Sequence, residues 1–495
     1  MKRDSTSGPD RRRFLKGAAS LAGGAVLAGS SAFTTLAAFA QDPPNCPTPP
    51  SGGTPFAPGS DTRPIVLRKS IAFLSTVELT QLRSAYAALR ALPASDKRTW
   101  IIQADMHALF CASCNNSPTD IHGSWSFFPW HRAYLYYYER ILGSLAGDLA
   151  HFRLPYWDWE NIRTLPPSYA TPGDASNSLW DGNRRFALAG GGSLPVSDGT
   201  SARISTLYGL TDFDSFGGNS FSNGALEADP HGTIHVDVGQ PPPLRHDMGS
   251  LGYAARDPLF FAHHCNIDKL WSGWNDLAGG GGLPPNAYRN PTNAGFLNLR
   301  WSFYDENQQV VSISAADVLD HQNNLRYIYK GPIFRIPPLL LILECELICC
   351  GPGPDPGPFL KVSEQVRETV IKELRANSPV VLVLQGVAIP PGLSGNFDVF
   401  ALRGERRIQV GSLGIIDHGN IQREKEHRPV TLVLDITKAS EELLAKEKPA
   451  TLHVFRRPGE QEYGKGTGIL RPGQKLEEPF QLKAERAQIR VARRQ

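Results

Sequence analysis

The stretch that decides the reading is Asp257-Pro258-Leu259-Phe260-Phe261-Ala262-His263-His264-Cys265-Asn266-Ile267-Asp268-Lys269-Leu270-Trp271. Its length and apolar spacing predict a helix over 262–274. Two adjacent helical histidines point about 100° apart, because the α-helix has 3.6 residues per turn. Only one of His263 and His264 should therefore join a given metal, and helical geometry does not say which. Upstream, Pro230-His231-Gly232-Thr233-Ile234-His235 puts two histidines at i and i+4. On a helix both imidazoles project from one face and can grip one ion. A third cluster holds His107 near the end of a predicted helix (100–110), His122 in Ile121-His122-Gly123-Ser124-Trp125, and His131 after the aromatic, proline-fixed entry Phe127-Phe128-Pro129-Trp130.

A single histidine is more often a satisfied core residue than a ligand. Seven in three such clusters, out of thirteen in the chain, make the bland reading untenable. Carboxylate-poor, all-imidazole spheres of three favour copper or zinc. In chain order the residues form two triplets, one from His107 to His131 and one from His231 to His264.

The rest of the 495 residues frame this core. At 41% hydrophobic and 20% charged, the chain is a globular one of two or three domains, with no run of eighteen apolar residues to form a membrane anchor. Residues 1–40 carry six basic and two acidic residues, the run Arg11-Arg12-Arg13-Phe14-Leu15-Lys16 and the exit Ala38-Phe39-Ala40. That pattern predicts a cleaved twin-arginine export signal and a periplasmic or secreted protein. Residues 41–64 are expected to be a loose Pro/Gly/Ser arm, 65–330 the metal-binding domain and 331–360 a linker containing Gly351-Pro352-Gly353-Pro354. In 361–495, β-branched runs at 380–387, 396–402, 408–413, 429–436 and 450–456 predict a small β-sandwich, preceded by a helix at 364–377. Helices are also expected at 75–91 and 131–145, and Gly-rich loops at 187–193 and 217–224.

The motifs resemble those of the type-3 binuclear copper proteins of the tyrosinase and polyphenol oxidase family. They are His122-Gly123-Ser124-Trp125 through Phe128-Pro129-Trp130-His131-Arg132, then Pro155-Tyr156-Trp157-Asp158-Trp159, then Pro230-His231 with His235, and Arg256-Asp257-Pro258-Leu259-Phe260 with His263-His264. The segments Arg300-Trp301-Ser302-Phe303-Tyr304-Asp305 and Tyr327-Ile328-Tyr329 are similar to the plant-type sequence that closes the copper core, and Asn396-Phe397-Asp398-Val399 to a C-terminal motif that starts with Lys. The resemblance implies a mainly α fold, an antiparallel four-helix bundle holding two copper ions, followed by a β-sandwich that often acts as a lid. It implies that His107, His122 and His131 bind the first copper and His231, His235 and His264 the second. It further implies a thioether between His122 and Cys111 or its rival Cys114, a water held by Glu227, a substrate ring stacked on Phe260, and a gate residue at Leu251. An Asn that follows the first ligand of the second copper in many relatives is here Gly232, which weakens the expectation of monophenol hydroxylation.

The implied function is oxidation of phenols by O2, o-hydroxylating monophenols such as tyrosine and converting o-diphenols to o-quinones. A catechol oxidase without monophenolase activity, a haemocyanin-like dioxygen carrier and a binuclear zinc hydrolase are the competing readings. Of seven cysteines, six remain after one thioether and could form three disulfides, or Cys345, Cys349 and Cys350 could handle copper during loading; Cys265 reads as packing. The formal charge of +3 belongs to the leader: without its six basic and two acidic residues, 45 basic face 46 acidic. What remains is a core (41–360) at −7 and a tail (361–495) at +6, so tail docks on core and no nucleic acid is expected, with salt-sensitive latency as a consequence.

Overall fold

The computed structural model describes residues 46–492 except 112, 115–117, 171–175, 186–187, 189–190, 196–198, 240–246, 280–288, 331–338, 340, 349–356, 376–377, 391–392, 417–427 and 458–479. The leader, Cys349, Cys350 and the Gly/Pro run that starts at Gly351 lie outside the described residues, as does part of the expected 187–193 loop.

Five helices build the core of the first part. Helix α1 (Thr76–Ala91) starts at a capping box, Ser75 accepting from Glu78 N and Glu78 accepting from Ser75 N. Helix α2 (Trp100–Phe110) is capped by Thr99. Helix α3 (Phe127–Leu145) begins four residues before the expected 131, because Pro129 falls in the first turn, where its missing N–H costs no helical bond. Helix α4 (Gly232–Val238) follows a π turn at Glu227–His231. Helix α5 (Pro258–Gly279) also starts early, with proline at its first position and Asp257 accepting from Leu259 N at 2.7 Å. Arg184 clamps the same Asp257 carboxylate with two bonds of 2.6 and 2.7 Å.

Helix α3 lies between α1 and α5. Tyr138 stacks on Phe261 of α5 with ring centroids 3.5 Å apart, and Tyr134 donates to Gln103 O of α2 at 2.5 Å. Behind the histidines, Asp268 of α5 is buried and accepts from Arg132 (2.6 Å), Tyr327 (2.6 Å), Tyr329 (2.7 Å) and Arg68 (3.3 Å). Burial alone would raise its pKa, but the Arg132 and Arg68 guanidiniums hold it low. Four donors on one carboxylate cross-link α3, α5 and the Tyr-x-Tyr segment.

The arm is not loose in its described part. Thr54–Pro55 pairs in parallel with Val311 and Ser312 on a hairpin of β1 (Arg300–Tyr304) and β2 (Val310–Ser314), Cys46 is bonded to Cys114, and Asp61 is buried against Arg63 and Tyr136. Short polar loops of this composition stay mobile only when nothing holds their backbone, and here strand pairing and a cross-link do.

The C-terminal part is a two-sheet sandwich around its own apolar core. Its strands are β3 (Leu341–Ile348), β4 (Phe359–Lys361), β5 (Val380–Val387), β6 (Gly395–Arg403), β7 (Arg406–Ile415), β8 (Val430–Asp435), β9 (Thr451–Arg456) and β10 (Arg486–Val491), with α6 (Glu364–Arg375) after β4. The sheets run β7-β6-β9 and β8-β5-β10-β3-β4. Residues 341–348, expected in the linker, are thus a sandwich strand, paired antiparallel with β10. Val381, Val383, Val433 and Ile416 of the sandwich join the apolar core of the helical part. Among the described residues no helix is long and apolar enough to cross a membrane.

Candidate metal centre

Helix α2 brings His107, the loop before α3 brings His122, and the second turn of α3 brings His131. Their rings stand 5.2 to 5.6 Å apart, centroid to centroid. The π turn and α4 bring His231 and His235, and α5 brings His263 and His264. Among the described residues these are the two groups able to hold an ion, {His107, His122, His131} and {His231, His235, His263, His264}, one ring nitrogen from each member lying within 4.8 Å of the others in its group. The groups face each other: His131 stacks on His264 at 4.2 Å and 6°. All seven imidazoles are buried.

Hydrogen bonds fix which nitrogen carries the proton. Nδ1 of His107 lies 2.9 Å from Leu251 O, that of His131 2.7 Å from Phe127 O, that of His231 3.0 Å from Glu227 O and that of His235 2.9 Å from Met248 O. A carbonyl only accepts, so each Nδ1 is the N–H and each Nε2 presents a lone pair. Burial drives the pKa of all four down, to about 3 for His131 and about 4 for His235, so they are neutral and ready to ligate. The Nε2 atoms of His107, His131 and His231 have no hydrogen-bond partner, and Nε2 of His235 lies 3.1 Å from Nε2 of His264. Converging orphaned lone pairs in a dry pocket call for cations, and an all-nitrogen set suits copper or zinc.

His263 differs. Its Nδ1 lies 3.0 Å from the indole Nε1 of Trp159, which only donates. Burial holds His263 neutral, so its proton is on Nε2.

Glu227 is buried 5% exposed beside this site, Oε1 accepting from Gly123 N at 2.7 Å and Oε2 without a partner; burial pushes its pKa well up. It lines a cavity of about 80 Å³ together with His122, His231 and Leu251 from the helical part and Leu413, Ile415 and Arg428 from the sandwich. Phe260 is fully buried against His264 (4.2 Å) and His107 (4.8 Å) and does not line this cavity. Leu251 serves twice, its carbonyl holding His107 and its side chain on the cavity wall. Cys114 is spent in the disulfide with Cys46, and Cys111, one turn after His107, is a buried free thiol with its pKa pushed up to about 12 by burial. The expected three disulfides reduce to this one among the described residues, Cys265 and Cys345 being free. Sequence reasoning assigned no role to Trp159, whose signal was its place in Pro155-Tyr156-Trp157-Asp158-Trp159, nor to the sandwich residues over the cavity.

A helical core with two facing, buried histidine groups defines a binuclear metalloprotein. Residues 97–206 and 193–277 match the common central domain of tyrosinase, and 290–336 the polyphenol oxidase middle domain. The chain is 35% identical over 288 residues to the latent form of chloroplastic polyphenol oxidase of Prunus armeniaca, covering 51% of this chain and 46% of that one. A solved structure of recombinant latent aurone synthase, a polyphenol oxidase, is similar at TM-score 0.60 and 26% identity over 84% of this chain and 90% of that one. A functional unit of octopus hemocyanin shares the fold at TM-score 0.53 and 19% identity, covering 86% and 99%. The chain spans about half the length of the curated relatives it matches. Residues 97–277 and 290–336 thus carry domains of the tyrosinase and polyphenol oxidase family of type-3 copper proteins, and the two histidine groups are able to hold a pair of copper ions.

Proposed function

We propose that this protein oxidises phenols with O2, turning o-diphenols into o-quinones and, with a smaller contribution, o-hydroxylating monophenols such as tyrosine. The observation that carries the reading is the pair of facing histidine groups with Nε2 lone pairs aimed inward. In this reading His107, His122 and His131 hold one copper and His231, His235 and His264 the other. The 3.1 Å approach of Nε2 of His264 to Nε2 of His235, and the proton on Nε2 of His263, support His264 as the third ligand. When bound, the two coppers supply dioxygen binding and two-electron chemistry.

The chain supplies position and proton handling. The backbone carbonyls of Leu251, Phe127, Glu227 and Met248 orient the imidazoles, Glu227 Oε2 is the carboxyl atom available to hydrogen-bond a water beside the second copper, and Phe260 stiffens His107 and His264. Leu251 forms part of the entrance. With Cys114 in a disulfide, Cys111 is the partner for a thioether to His122, which would lock that imidazole.

The sandwich acts as a lid. A cavity of about 80 Å³ is smaller than the ~150 Å³ that admits benzene in an engineered core, so a phenol enters only when the sandwich moves. Arg11 to Lys16 and the Ala38-Phe39-Ala40 exit support export by the twin-arginine route to the periplasm or the medium. A dioxygen carrier is the second reading, favoured by the small cavity.

The test is copper quantification with paired assays on catechol and tyrosine, before and after limited proteolysis between 349 and 356. Two coppers per chain and catechol turnover that rises on cleavage support the proposal. Reversible O2 binding with no catechol turnover in either form points to a carrier, and no copper retention ends the reading.

A further inference from the structure

Trp159 is fully buried and its indole is wedged by its neighbours: a Cβ on Gly199 would stand 2.7 Å from the ring, and Pro230 lies beside the same point. The indole N–H is aimed at His263 Nδ1 at 3.0 Å. An imidazole that accepts at Nδ1 can also offer a lone pair at Nε2 only as an imidazolate, a state that a dry pocket of neutral imidazoles disfavours. His263 therefore cannot act as a neutral ligand through Nε2. Its Nε2–H is buried without a partner, yet a ring nitrogen of His263 lies within the second histidine group. Every other imidazole in the centre whose tautomer the carbonyls fix presents a lone pair there. An orphaned buried N–H is costly unless something accepts it.

We infer that Trp159 is a positioning residue acting through His263: the indole holds His263 in the Nε2–H tautomer, which keeps it out of the coordination sphere and makes it a hydrogen-bond donor to an anionic or oxygen ligand at the second copper. This rests on the proposed copper assignment. It gives the Trp157-Asp158-Trp159 segment a function in ligand recognition, and it explains how two neighbouring histidines on one helix serve different ends.

The test uses copper-loaded full-length protein and azide as the probe, its affinity for the cupric form followed by charge-transfer absorption. Trp159→Phe keeps the aromatic packing and removes the donor; His263→Leu removes the second donor; His263→Gln restores an N–H near the same place. Copper content is measured for each, and histidine-selective ¹⁵N NMR of the diamagnetic cuprous form reads the His263 tautomer. The expected result is two coppers per chain in all three variants, azide binding about tenfold weaker in Trp159→Phe and His263→Leu, near-wild-type affinity in His263→Gln, and a single Nε2–H tautomer in the wild type that becomes mixed in Trp159→Phe. Unchanged azide affinity in Trp159→Phe at full copper overturns the inference, as does an Nδ1–H tautomer in the wild type. Loss of one copper in His263→Leu alone makes His263 a ligand and also overturns it. A wild type that binds no copper defeats the underlying assignment instead, and the inference with it.

Discussion

Gly232 and Gly414 meet backbone to backbone: a Cβ on Gly232 would stand 2.3 Å from the carbonyl oxygen of Gly414, and one on Gly414 would stand 2.1 Å from the Gly232 carbonyl carbon. Gly232 follows His231 directly, and Gly414 lies on β7 of the sandwich, so the strand of the proposed lid rests on helix α4 without an intervening side chain. Gly414→Val is therefore expected to lift the sandwich. Overpacking of this kind costs typically ~1–3 kcal/mol. Catechol turnover of the uncleaved variant should rise several-fold towards the cleaved level with copper content unchanged. Turnover that stays at the latent wild-type level would show that this contact does not hold the lid.

The same contact accounts for the glycine at 232. An asparagine there, the residue that the family resemblance leads one to expect, would collide with Gly414 O while the sandwich is docked. Gly232→Asn should release the lid as Gly414→Val does, and after proteolysis it should raise tyrosine turnover relative to catechol turnover by giving the water beside Glu227 a second partner. Equal ratios in the cleaved wild type and the cleaved variant would separate Gly232 from proton handling.

The metal core was legible because its signals are local. The i, i+4 spacing of His231 and His235 acts within a few residues, although the helices that carry His131 and His264 start four residues earlier than expected, with prolines inside their first turns. What the sequence hid is decided across long separations. Trp159 and His263 are 104 residues apart and nothing in either motif names the other. Strand β3 looked like linker because its pairing partner, Arg486–Val491, comes near the other end of the chain. Cys114 resembled a thioether candidate until Cys46, 68 residues upstream, claimed it.

That disulfide closes a loop of 68 residues, which on chain-entropy grounds contributes roughly 4 kcal/mol by restricting the unfolded chain. Cys46→Ser is expected to lower the melting temperature by about 5 °C. In the reduced, alkylated wild type, mass spectrometry should find Cys46 and Cys114 modified. Cys111 should be protected once copper has been loaded, as a thioether resists reduction. Alkylation of Cys111 in the active copper enzyme would remove the cross-link from the proposal.

Asp61 provides a pH handle far from the metals. Burial would raise its pKa, but the hydrogen bonds and charge of Arg63, with Tyr136 helping, bring it from 3.8 to about 2. Because the folded value is the lower one, this stabilisation is fully present above pH ~4 and is lost as pH falls through about 2. Asp61→Asn should be less stable than the wild type at pH 6, and the difference should shrink on acidification across that window, as followed by thermal melts. A gap that is independent of pH would show that the Asp61 charge contributes nothing there.

The charge imbalance between core and tail suggests electrostatic docking, but the interface gives it a small part. Among the described residues the ion pairs that cross it are Arg490 with Asp212, whose side chains are 3% and 39% exposed, and Arg428 with Asp120 at 3.7 Å on the rim. Other contacts across it include the Gly232–Gly414 approach, Arg490 donating to Ser215 Oγ at 2.8 Å, Arg203 donating to Val433 O, Asn223 N donating to Pro429 O at 3.3 Å, the Asn396 amide donating to Asp237 at 2.7 Å and to Thr233 O at 3.2 Å, and apolar packing of Val381, Val383, Val433 and Ile416. Salt shortens the Debye length from about 10 Å at 0.1 M to about 3 Å at 1 M, which screens the Arg428 pair and, less strongly, the Arg490 pair with its buried guanidinium, while it leaves apolar packing and the glycine contact unscreened. Raising NaCl from 0.1 to 1 M should therefore increase latent catechol turnover by less than twofold, and Arg428→Ala should abolish even that response. Activation by salt to the level reached by proteolysis would mean that charge, and not the glycine contact and apolar packing, keeps the sandwich in place.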